Sequence, residues 1–322
     1  MSGRLREIAR QTVAIAEAGE YRNSADELVT LAEAVPAAVA GTRHHLPDEA
    51  LSISGSPAAG PVIEVTREST LDAARRVAAD AACLVFASAK NPGGGFLGGA
   101  KAQEESIARA SALYPCLLAA PEFYAFHRAQ RDLRYSDRVI YSPRVPVFRD
   151  DRCDLLDRPY QTTFLTAAAP NLGAILRNQP EHAADVPAIL HRRARRVLQV
   201  AAAYGHRTVV LGAWGCGVFR NVPATVANAF AEALREVDRF DRVIFAILDG
   251  LPRSPVYAAF EAVFGGGGTP SGAAAPQSVL DEWQPLPDWE PVPDSSLPAG
   301  RSRSSGRGPG RGRPGRPGRA GR

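Results

Sequence analysis

Two neighbouring carboxylates, Glu104 and Glu105, close a run that begins with three consecutive glycines, Gly93, Gly94 and Gly95. Side-chain carboxyls move protons in general acid/base reactions and hold sugar hydroxyls. Glycines let the main chain approach a ligand closely and adopt positive φ. Backbone N–H groups beside a helix N-terminus favour anions. The combination points to an anionic, sugar-bearing substrate. Adjacent residues on a helix project about 100° apart, so the two glutamates are not a matched pair across one glycosidic bond and should have different roles. Acids are also common in a first helical turn because of the macrodipole, so the pair alone is not diagnostic.

Two better-known glycine loops do not fit. Gly93, Gly95 and Gly98 satisfy G-x-G-x-x-G, but the following strand, over about 138–141, leads into Ser142 and Pro143 rather than an acid for a ribose. A P-loop would need glycine directly before Lys101 and Ser or Thr after it; both positions are alanine. Gln103 and Asn91 lie close enough in sequence to contact a sugar, but either side chain could equally satisfy loop backbone. A second glycine loop, with Gly212, Gly215, Cys216, Gly217, Val218 and Phe219, follows an apolar strand and precedes a helix. Taken alone it reads equally as a tight connection. Cys216 has no His-plus-acid partner visible in sequence and reads as a packing residue.

The elements that must position these loops are read from periodicity. Helices are expected at 3–18, 24–39, 103–114, 185–204 and 223–237, with another opened by Ser69 or Thr70 and with Pro115 discouraging continuation past 114. Strands are expected at 61–66, 83–87, 138–141, 162–168, 208–213 and 242–248. Their alternation implies an α/β fold, a mixed sheet between helical layers.

The chain has 322 residues, 45% hydrophobic and 22% charged, enough for a sizeable core. Its net charge of +4 is misleading, because residues 301–322 hold eight arginines and no acid, whereas 266–300 hold five acids and no Lys or Arg. Residues 1–265 are therefore nearly neutral. After Phe264 the composition turns to Gly, Pro and Ser, so 266–322 is expected to be a disordered tail behind a catalytic domain at 1–265. Arg-Gly spacing there suits either weak polyanion contact or simple solvation. Cys83, Cys116, Cys153 and Cys216 form no C-x-x-C pair, and the six histidines are scattered, so no metal or cofactor is expected. No apolar run is long enough for a membrane span, and cytoplasmic location is the default expectation.

Three glycines, seven residues, then Gln-Glu-Glu, within the runs 86–100 and 110–115, resemble the signature of bacterial-type poly(ADP-ribose) glycohydrolases. The resemblance covers roughly residues 1–264. It implies a macrodomain-like three-layer α/β/α fold with an N-terminal helical extension over 1–60. It also implies exo-acting release of ADP-ribose from poly(ADP-ribosyl)ated proteins, and a monomer is expected. By position, Glu105 resembles the catalytic acid/base and Glu104 the residue that holds ribose hydroxyls. The second loop resembles a diphosphate loop, with Phe219 packing on the distal ribose. An ADP-ribose reader without catalysis is the alternative, although a reader has no need of the acid pair.

Overall fold

The computed structural model describes residues 2–77, 80–250 and 253–265. In chain order the elements are α1 (Ser2–Ala18), β1 (Glu20–Arg22), β2 (Leu28–Thr30), α2 (Ala34–Gly41), β3 (Arg43–His45), β4 (Val62–Thr66), α3 (Thr70–Val77) and β5 (Ala81–Phe86). There follow α4 (Gln103–Ala110), α5 (Leu113–Leu118), α6 (Pro121–Ala129), β6 (Val139–Arg149), β7 (Leu155–Ala167) and α7 (Leu172–Asn178). The remainder is α8 (Val186–Ala203), β8 (Thr208–Leu211), α9 (Pro223–Glu236), β9 (Arg242–Ala246) and α10 (Pro255–Phe264). A seven-stranded sheet runs β3-β6-β7-β5-β8-β9-β4. Pairing is parallel from β7 through β5, β8 and β9 to β4, and antiparallel where β6 meets β7 and β3.

Strand alternation sorts the core into two halves. Ala82 and Leu84 of β5 face the layer built by α7–α10, while Ala81, Cys83 and Val85 face the layer built by α1–α6. Val209 and Leu211 against Val210 in β8 repeat the pattern. This is the expected three-layer α/β/α arrangement with a mixed sheet. The parallel strands end together, so the loops after β5, β7 and β8 share one rim, where open α/β sheets bind ligands.

The N-terminal third departs from expectation. Instead of a helix over 24–39 there is a hairpin of β1 and β2 followed by the short α2. Gly19 at φ +70 ends α1, and the Asn23 side chain accepts from the amides of Ala25 and Glu27, a local turn that competes with helix. Residues 1–60 are therefore not a purely helical extension, and β3 joins the main sheet. The helix expected to reach 114 stops at Ala110, because Ser111 bridges to Val147 and Ala112 donates to Pro146 O. Pro115 then sits in the first turn of α5, where its missing N–H is harmless. The expected tail at 266–322 and its boundary with the catalytic domain lie outside the described residues.

The first helix has a definite task. Ala9 and Val13 of α1 pack with Phe96 of the glycine loop and Ala108 of α4, and Thr12 Oγ1 donates to Arg109 O at 2.6 Å. Phe96 is fully buried, edge-on to Tyr114 at 4.9 Å. The glycine loop is clamped from below rather than left free.

Candidate active site

The first loop leaves β5 at Phe86 and re-enters helix at Gln103. Gly93 and Gly94 both have positive φ, +69 and +61. At Gly94 the requirement is twofold, because a Cβ there would overlap Glu105 Oε1 and come within 3.0 Å of Glu104 Oε2. The loop thus folds over the helix N-terminus, and both carboxylates converge on one bare Cα. Helical geometry separates the two side chains in direction, but the loop brings their ends to one place.

Glu105 Oε1 accepts from the Gly95 amide at 3.0 Å, and Glu104 Oε2 accepts from the Ser88 amide at 2.6 Å. Each carboxylate keeps one buried oxygen without a protein partner, Glu104 Oε1 and Glu105 Oε2. Buried polar atoms are normally satisfied, and here two unpartnered carboxylate oxygens belong to adjacent residues. Burial, reinforced by the nearby Glu105 charge, pushes the Glu104 carboxyl well above the usual range against the pull of the Ser88 amide. Close by, the Tyr124 hydroxyl is also buried and unpartnered, and burial followed by the Glu104 charge raises it well above the usual phenol range.

Gln103 does not join this group. Its Oε1 accepts from Phe86 N at 2.8 Å, and its Nε2 donates to Leu84 O at 2.7 Å and Thr70 Oγ1 at 3.1 Å. Of the two uses open in sequence, the amide serves the scaffold, tying α4 to the end of β5. Asn91 is exposed, and its main chain supports the loop through Gly94 N to Asn91 O at 3.0 Å.

The second loop is shaped by packing. A Cβ on Gly212 would lie 2.8 Å from Ala246 O and 2.9 Å from Phe86 Cζ, so this glycine lets the two loop stems approach. Gly215, at φ +73, sits against Ala169 and the Asn221 amide, itself donating to Pro170 O at 3.0 Å. Trp214 is buried and donates from Nε1 to Ala167 O at 3.0 Å. Burial pushes the Cys216 thiol up, which suits a packing residue and not a nucleophile. Gly217 has open space where a Cβ would be. Among the described residues the amides of Gly217, Val218 and Phe219 donate to no backbone acceptor. Val218 is 40% exposed, and the Phe219 ring lies 6.1 Å from Tyr135.

Tyr135 escaped the sequence reading. It has φ +58 in the loop before β6, edge-on to His127 at 5.8 Å. Burial holds that imidazole down at about 4, and it bonds Phe123 O and Ser136 Oγ, both at 2.8 Å. Arg193, fully buried, anchors the same loop through Asp137, Ala168 O and Arg134 O. A cavity of about 360 Å³ opens beside Tyr135. Its arginines are matched by Asp132, Asp137 and Asp185, so it carries little net charge. Nothing short of the tertiary contacts singles out these residues.

The family model of the microbial-type poly(ADP-ribose) glycohydrolase catalytic domain matches residues 9–150, which include both glutamates and the first loop. A poly(ADP-ribose) glycohydrolase from Thermomonospora curvata is 48% identical, with a TM-score of 0.75, over 80% of this chain and 98% of that one. The chain belongs to this family. It is therefore a glycosidase acting on poly(ADP-ribose). The Thermomonospora protein is also known bound to the inhibitor ADP-HPD, matching at 48% identity and a TM-score of 0.72 over 80% of this chain and 98% of that one. A Deinococcus radiodurans glycohydrolase in complex with ADP-ribose is 45% identical, with a TM-score of 0.66, over 72% of this chain and 97% of that one. No curated protein matches. Among the described residues, no helix is long and apolar enough to cross a membrane.

Proposed function

We propose that this glycohydrolase cleaves the ribose–ribose O-glycosidic bond at the polymer end, releasing single ADP-ribose units, with Glu105 as general acid and then general base. The observation that carries the reading is the pair of unpartnered buried oxygens, Glu104 Oε1 and Glu105 Oε2, at the mouth of the glycine loop. In the forward reaction Glu105 donates its proton to the departing 2′-oxygen as the bond to the anomeric carbon breaks. Water then attacks the oxocarbenium ion and gives its proton to the Glu105 carboxylate. Glu104 holds the hydroxyls of the same ribose. The amides of residues 217–219 take the diphosphate, and Phe219 packs on the distal ribose. The exo direction follows the resemblance to the bacterial branch.

The substrate is poly(ADP-ribosyl)ated protein. Four free cysteines, three of them buried, suit a reducing cytoplasm, and we take the working form to be a monomer. Incubating poly(ADP-ribosyl)ated protein with the wild type and with Glu105→Gln tests the reading. Wild type should yield ADP-ribose monomer, and the variant should lose roughly 10²–10⁴-fold in kcat while still binding ADP-ribose. Equal release by both would remove Glu105 from the chemistry, and oligomeric products would reverse the exo assignment.

A further inference from the structure

Poly(ADP-ribose) carries a diphosphate in every repeat, so a scissile ribose–ribose bond always lies between two of them. The second loop accounts for one, on the side of the α7–α10 layer, where Trp214 and Cys216 pack. The other lies on the leaving side of that bond, and the first loop borders the bond where its amides meet the acid pair. There α6 sets Arg128 against the loop, its Nη1 donating to Lys90 O at 2.7 Å. The same short stretch touches the acid pair. Ser88 donates from its amide to Glu104 Oε2, and its Oγ accepts from the amides of Lys90 and Asn91 at 3.3 and 3.1 Å. Arg128 is also near enough to the buried Tyr124 phenol, itself beside Glu104, for its charge to be felt there. Lys90 and Arg128 are both exposed, and among the described residues neither joins an ion pair with an acid. Two cations without an acidic partner among the described residues therefore flank the loop segment that carries Ser88, the residue bonded to Glu104.

We propose that Lys90 and Arg128 form a subsite for the diphosphate of the polymer unit on the leaving side of the scissile bond. The proposal rests on the polymer-cleaving reading above. A guanidinium and an ammonium suit phosphate oxygens, the first directionally and the second as a point charge. Because Arg128 is anchored to the Lys90 carbonyl, it is held in place before substrate arrives, which lowers the ordering cost of binding.

The experiment measures polymer hydrolysis against salt for the wild type, Lys90→Ala, Arg128→Lys and the double variant Lys90→Ala/Arg128→Ala, with ADP-ribose affinity measured in parallel. The double variant should raise KM for polymer roughly tenfold at low salt. It should also flatten the slope of log KM against log salt by about 1.4, the loss of two phosphate contacts on a single-stranded polyanion. Lys90→Ala removes no hydrogen bond of the loop, so it should move KM and the slope but not kcat. Arg128→Lys should keep most of the wild-type salt dependence. An active wild type whose KM and slope are unchanged in Lys90→Ala and in the double variant overturns the subsite. So does a fall in kcat without a change in slope, the sign of a bracing role alone. A wild type that releases no ADP-ribose from polymer instead overturns the underlying reading, and the subsite with it.

Discussion

The two glycine loops look alike in sequence and are built for different reasons. In the first, Gly94 is bare because two carboxylates occupy the space a side chain would need. In the second, Gly212 and Gly215 are bare because strand ends and the Asn221 side chain occupy it, and only Gly217 faces open space. The first loop is shaped around its two carboxylates and the second around its own packing, and among the described residues the amides at its tip, 217–219, donate to no backbone acceptor. Glycine content alone therefore says little about which glycine serves chemistry.

Substitution can separate the two designs. The largest effect is expected for Gly94→Ala, which forces Glu104 and Glu105 aside. Displacing reacting groups by about 1 Å costs on the order of 10²-fold, so kcat on polymer should fall by about that factor. The accompanying positive-φ strain should cost about 1–3 kcal/mol, read from denaturant unfolding. Activity within tenfold of wild type would break the claim that the carboxylates dictate this glycine.

Gly215→Ala should act in the opposite proportion. It carries the same positive-φ strain plus overlap with Asn221, so stability should fall by about 2–6 kcal/mol, the two penalties together. Turnover per folded molecule should change much less than in Gly94→Ala. Gly217→Ala should leave stability within about 0.5 kcal/mol while weakening ADP-ribose binding, measured by calorimetry, if the tip amides meet the diphosphate. Unchanged affinity would detach the second loop from the ligand.

The smallest effect concerns Glu104 and pH. Its carboxyl is raised in the folded protein, chiefly by burial, so the native state holds a proton that the unfolded chain releases. Its stabilising contribution is complete below the unfolded value near 4.3 and is lost as pH rises towards the folded value. Glu104→Gln should therefore raise the melting temperature at pH 7 and leave it unchanged at pH 3.5. A variant equally stabilised at both pH values would mean that proton linkage is not the cause.

Much of this was legible because it is local. The order of glycines, the first-turn acids and the short apolar strands lie within a few residues of one another, and strand alternation carries the layer assignment. Where Asn23 accepts from its own neighbours, local pattern misled, since Leu28, Leu31 and Val35 suit a helix as well as a hairpin followed by one. Gln103 was visible as a polar group near the site, but its two uses differ only in which partner lies opposite, and that partner is the end of β5. Tyr124, Tyr135, Asn221 and Arg193 carry no local mark. Their importance comes from neighbours dozens of residues away.

From sequence alone came the paired glutamates, their spacing from the glycines and the α/β class, because helix termini, glycine runs and apolar periodicity are consequences of local backbone chemistry. Tertiary structure decided what those residues meet. It brought two carboxylates that point apart along a helix to a single glycine. It spent Gln103 on the scaffold, set Tyr135 against Phe219 across loops more than eighty residues apart, and put Arg128 on the carbonyl of Lys90. Such contacts depend on which strands lie side by side and where they end, and no run of neighbouring residues contains that information.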